Sequence, residues 1–170
     1  FSTNGYGFRI KVNEWALSGI WKISDVIIKD SADNVLHIDD SISSLGSFNV
    51  ISSQTDTTAP VLNTVSIFPA VVHDGDSITV QVNLTDNLSG INRIQVDIAN
   101  PYGEQEFSVS GFLDDWEYQG GNTYTYKVQL NDWAINGQWY VPSIFIHDNA
   151  NNLLHLDNGS SSLATFTVIN

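Results

Sequence analysis

The chain has 170 residues, 42% of them apolar, enough for one full domain with a real core and part of another. Six Lys and Arg against 19 Asp and Glu leave a formal charge of −13, which repels phosphate backbones and anionic lipid surfaces and argues against nucleic acid and membrane insertion. Cysteine is absent, which excludes disulfides and thiol chemistry, and no apolar run approaches the roughly 20 residues of a bilayer span.

Abundant Asn, Ser, Thr, Asp and Gly suit strands and turns better than helices. In chain order, the first 51 residues are best understood through what comes later. Tyr6–Ile51 aligns with Tyr124–Ile169 at an offset of 118 residues, with 19 identities in 46 positions. The paired landmarks are Asn13 with Asn131, Trp15 with Trp133, Gly19 with Gly137, Trp21 with Trp139, Asp30 with Asp148, His37 with His155, and Phe48 with Phe166. A period of 118 is too long for a solenoid unit and matches one β-sandwich domain. Residues 1–51 are therefore expected to be the C-terminal part of one repeat, 52–59 a linker, and 60–170 a complete second repeat. No signal peptide opens the chain, so it reads as a processed or excised piece. The strands that would cover the first copy are expected from a preceding segment or from another chain.

After the linker, period-two alternation predicts strands at 61–69, 77–86, 91–101, 104–112, 123–132 and 138–148. A short strand at 153–157 and a final one at 165–170 together make one broken strand. In the second of these, Ile78, Val80, Val82 and Leu84 share one face. The apolar phase slips by one residue at Pro142 and Ser143, and again between Ile23 and Val26, which predicts a bulge in both copies. Trp21 and Trp139 are read as core residues, while Trp15 and Trp133 pin the turn ahead of them. The whole predicts an all-β, Ig-like antiparallel sandwich.

Three polar phrases, Thr55–Pro60, Thr85–Gly90 and His147–Asn152, fall at the same pole when strands are counted up and down. Asp56, Asp86, Asp148 and Asn149 should converge there. Hard oxygen donors without nitrogen or sulfur suit Ca²⁺, whose charge would offset three like charges and stiffen the junction. Asp and Asn in such phrases are also ordinary turn residues that bond their own backbone, and both readings stand.

No G-x-S-x-G, H-E-x-x-H or Gly-rich phosphate loop is present, so the sequence predicts no enzyme. Asp114, Asp115 and Glu117 crowd one loop rather than face one another across a cleft. Trp116 in that loop, with Tyr118 and Tyr102 in nearby connections, is a candidate sugar-stacking surface, against the alternative that Trp116 folds back as a plug over the sandwich edge.

The phrases DTTAP at 56–60, TDNLSGI at 85–91, GQWYV at 137–141, HDNANN at 147–152 and the terminal TFTV resemble, in order and spacing, the Ig-like repeat domains of large secreted or surface-anchored bacterial proteins, including adhesins and exported hydrolases. The resemblance implies a secreted or cell-surface, non-catalytic structural or adhesive module that stands beside other repeats of its polypeptide, with calcium near domain junctions in several such arrays. The alternative it allows is a carbohydrate-binding accessory module of a secreted hydrolase, with surface glycans as partners.

Overall fold

A computed structural model of the chain describes residues 9–39, 45–157 and 163–170. The start of the first repeat copy at Tyr6 lies outside the described residues. The chain divides into two units, Phe1–Asp56 and Thr57–Asn170. The division falls inside the stretch read as linker, but Ser52 belongs to the first unit. Its backbone N–H donates to Ser18 Oγ at 2.9 Å and its hydroxyl donates to the Glu14 carbonyl at 2.9 Å.

Among its described residues, the second unit is all β apart from one short 3-10 turn. Its strands are β5 (Val61–Phe68), β6 (Val71–His73), β7 (Ser77–Thr85), β8 (Ile91–Ala99), β9 (Glu106–Phe112), β10 (Glu117–Gly120), β11 (Thr123–Gln129), β12 (Gly137–Tyr140), β13 (Ser143–Asp148), β14 (Leu153–Asp157) and β15 (Thr165–Ile169), with one 3-10 turn at Leu113–Asp115. One sheet has the order β10-β11-β7-β5; the other runs β14-β13-β8-β12-β15-β6, with β9 on β8. Alternation decides which side chains meet between them. Ile78, Val80, Val82 and Leu84 from β7 face Ile94, Val96 and Ile98 from β8 and Ile144 and Ile146 from β13, all fully or almost fully buried in one core. Trp139 sits in that core with its indole N–H donating to the Ile135 carbonyl at 2.8 Å, so its polar atom is satisfied where its ring is dry.

The expected bulge is a break between β12 and β13. Val141 turns aside to donate its N–H to the Ala164 carbonyl at 3.0 Å, and Pro142 occupies the gap, where no ladder donor is required. β15 pairs with β12 and β14 with β13, so the last two strands flank one interrupted neighbour. Two strands escape the sequence pattern. β10 follows a turn of reversed direction, and β6 is only three residues long, pairing in parallel with β15.

The first unit contains β1 (Gly19–Lys22), β2 (Asp25–Lys29), β3 (Val35–Asp39) and β4 (Ser47–Val50). β1 pairs with β4, and β2 with β3. Gly19 faces Val50 as Gly137 faces Val168, and Asp25 faces Asp39 as Ser143 faces Asp157, so the register is the same in both copies. The local devices match too. The Trp21 indole donates to the Leu17 carbonyl at 3.0 Å, Ile23 N–H to the Gly46 carbonyl at 3.1 Å, and Asp33 holds φ 68° where Asn151 holds 69°. Trp133 does pin its turn, but through its backbone N–H on Asn131 Oδ1 at 3.2 Å; its ring is exposed.

Candidate functional site

The acidic pole forms where three connections meet. Asp86 follows β7 and closes the next turn: its Oδ1 accepts from Leu88 N–H at 3.1 Å and Gly90 N–H at 2.6 Å. Gly90 makes that turn with φ 76°, a conformation an L side chain resists. Asp148 ends β13 and does the same for the following turn, with its Oδ1 accepting from Asn152 N–H and its Oδ2 from Asn152 Nδ2, both at 2.7 Å. Asn149 then clasps the two turns together. Its backbone N–H donates to the Gly90 carbonyl at 2.9 Å and its Nδ2 to the Ser89 carbonyl at 2.9 Å.

These turns bring Asp86 and Asp148 beside Asp56, and each of the three offers a carboxylate oxygen within 4.8 Å of the others. The turn reading and the convergence reading are therefore both realised by the same side chains. Asp148 is 0% exposed and Asp56 3%. Like charges this close and this dry repel one another in a medium that screens them poorly. In addition, Asp86 Oδ2 is buried without a hydrogen-bond donor. An orphaned carboxylate oxygen beside two more carboxylates is a donor set for a hard cation. Calcium, which takes hard oxygen donors, is a cation these residues could hold. Asn149, by contrast, spends its amide N–H groups on the clasp.

The aromatic candidates are not gathered into one surface. Trp116 is 4% exposed and packs in the core, edge-on to Tyr126 with ring centroids 5.4 Å apart. Its ring is covered and offers no face for a sugar to stack on, which corrects the expectation of a stacking surface there and places Trp116 as the plug. The cause is the 3-10 turn, which folds the chain back so that Trp116 points inward between the exposed acids. Asp115 Oδ2 closes that turn by accepting from Phe112 N–H at 2.8 Å. Tyr118 is exposed in β10 and lies against Tyr124, while Tyr102 is exposed in the turn after β8, on the other sheet.

One buried acid was not singled out from the sequence. Asp97 alternates outward from the β8 core residues, yet lies almost fully buried under its neighbours. Its Oδ1 accepts from Ser108 Oγ at 2.6 Å and Gln95 Nε2 at 2.9 Å, and its Oδ2 from Ser143 Oγ at 2.5 Å. Burial raises its pKa, but the Ser108, Ser143 and Gln95 hydrogen bonds and the nearby His155 together hold it below the ordinary carboxylate value. His155 stacks on Phe145 at 4.1 Å, so this repeat-matched histidine is a packing residue. A cross-strand polar phrase spanning β8, β9 and β13 leaves no trace in local periodicity, which is why it was not legible.

No family model matches the chain, and no curated protein matches it. Among solved structures, it is similar to an alkylpurine DNA glycosylase, AlkC, from Pseudomonas fluorescens, bound to DNA containing an abasic site analog, with a TM-score of 0.38 and 14% identity. The match covers 68% of this chain and 32% of that one, so it spans about a third of the glycosylase chain. The expectation that the chain is not an enzyme is not carried forward. At that TM-score the likeness carries no argument about what this chain binds or does. Among the described residues, no helix is long and apolar enough to cross a membrane.

Proposed function

We propose that the chain is a structural or adhesive Ig-like module of an extracellular bacterial multidomain protein, with a calcium ion held by Asp56, Asp86 and Asp148. The observation that carries the reading is the trio of carboxylate oxygens within 4.8 Å, two of them from almost fully buried residues, together with the orphaned Asp86 Oδ2. The strand order supports the fold half of the proposal. Read as D-E-B-A, the sheet β10-β11-β7-β5 opposes a C′-C-F-G sheet in which β12 with β13 is the broken F and β14 with β15 the broken G. The motif order described above supports the extracellular setting.

Thermal unfolding with excess calcium and then with a chelator tests this. At a hundredfold excess over Kd, binding to the folded state alone adds about 2.7 kcal/mol, which raises Tm by about 10 °C in a unit of this size. Asp86→Asn should abolish the shift. Asp30→Asn, at the position in the first unit that corresponds to Asp148, should leave it unchanged. An unshifted Tm in the parent chain would overturn the calcium reading and return these residues to their turns.

A further inference from the structure

Among the described residues of the first unit, nothing covers one apolar face. Trp21 is 42% exposed where Trp139 is 1%, Ile28 is 52% where Ile146 is 0%, and Phe48 is 46% where Phe166 is 2%. Ile23 and Leu36 are exposed beside them. These residues stand on strands of the same register as their counterparts, so the face is formed and differs only in its cover. In the second unit the cover is known. It is the half of the unit that precedes Tyr124 in the chain, whose Ile78, Val80, Val82, Leu84, Ile94 and Val96 fill the core against Trp139, Ile146 and Phe166.

We propose that the exposed face of the first unit is a docking surface for a half-domain with the strand pattern of residues 57–123, standing directly ahead of Tyr6 in chain order as 57–123 stands ahead of Tyr124. The chemistry of the face specifies that occupant. Trp21, Ile28, Leu36 and Phe48 are identical to Trp139, Ile146, Leu154 and Phe166. Where the copies differ, volume is nearly conserved: Ile23 for Val141 is offset by Val26 for Ile144, and Ile38 replaces Leu156. A surface that repeats the shape of a known core takes the partner that core takes. The backbone edge agrees. In the second unit β13 is laddered to β8, whereas among the described residues β2 pairs only with β3, which leaves one row of its N–H and C=O groups for an incoming strand. This inference goes beyond the calcium reading and does not rest on it, since it is read at strands β1 to β4 rather than at Asp86 and Asp148.

The test joins a second copy of residues 57–123 to Tyr6 and follows backbone amide exchange in the extended and the parent chains. In the extended chain, exchange across β1 and β2 should slow by about 100-fold or more, approaching that of β12 and β13. Ile28→Asp in the extended chain should cancel the gain and leave the second unit protected. The second unit is the internal control: if it stays protected while β1 and β2 still exchange as in the parent chain, the proposal is overturned. Sedimentation of the parent chain supplies the other arm. A dimer with β1 and β2 already protected would overturn it in favour of a second copy as the occupant.

Discussion

Strands β1 to β4 and β12 to β15 share the same pairings, the same indole-to-carbonyl bond and a left-handed residue at the same turn position, yet Trp21, Ile28 and Phe48 are exposed where Trp139, Ile146 and Phe166 are buried. The comparison separates two things usually tangled. Local signals, including turn residues, strand alternation and the break at Ile23 or Val141, are sufficient to shape the ribbon. They say nothing about whether the ribbon is covered, which depends on strands tens of residues away.

The sharpest break of that comparison is at the paired tryptophans. Trp139→Ala should cost the second unit about 3–5 kcal/mol, as a large side chain lost from a packed core does. Trp21→Ala should cost less than about 1 kcal/mol in the parent chain. Urea unfolding followed by the remaining tryptophans measures both, and equal losses would mean that Trp21 is covered in solution.

A smaller effect is expected at the acids. Ser143 in the second copy meets buried Asp97, whereas its counterpart Asp25 meets His37 at 2.5 Å on an exposed sheet. Asp97→Asn should cost about 1–3 kcal/mol at pH 7, because three donors lose a charged acceptor. Asp25→Asn should cost at most about 1 kcal/mol, as exposed pairs do. The sign with pH follows from the lowered Asp97 pKa. A carboxylate held ionised in the folded state stabilises above its unfolded value near 3.9 and loses that contribution as pH falls through its folded value. The gap between the parent chain and Asp97→Asn should therefore be full at pH 6 and close progressively below about pH 4, in a series of denaturant midpoints against pH.

The smallest effect should be common to both copies. Asn151 and Asp33 hold φ near +69°, where glycine is unstrained, so Asn151→Gly and Asp33→Gly should each change stability by no more than about 1 kcal/mol and in the same direction. Unequal changes, read from the unfolding midpoints of the two units, would show that the turns are not equivalent.

Much of this was legible beforehand, for physical reasons that differ by residue. The strand at Ser77–Thr85 declares itself because Ile78, Val80, Val82 and Leu84 alternate without interruption. The acidic pole is legible because strand count alone assigns each loop to an end of the unit, and Asp56, Asp86 and Asp148 follow. Trp116 misleads because its acidic sequence neighbours describe the turn's exposed side, while the turn itself aims the ring the other way. Asp97 and β6 are illegible because their partners, Ser108, Ser143 and Val168, are distant in sequence.

The parallel pairing of β6 with β15 has a mechanical consequence. Val71, Val72 and His73 run alongside Thr167, Val168 and Ile169, and the Thr167 N–H extends the ladder to the Ala70 carbonyl at 2.9 Å. Tension applied between the start of β6 and the end of β15 pulls these strands lengthwise past one another, so the rungs of the ladder carry the load side by side. Peeling one rung at a time, as in a hairpin drawn open from its tip, is the weaker geometry, and β6 and β15 meet in the stronger one.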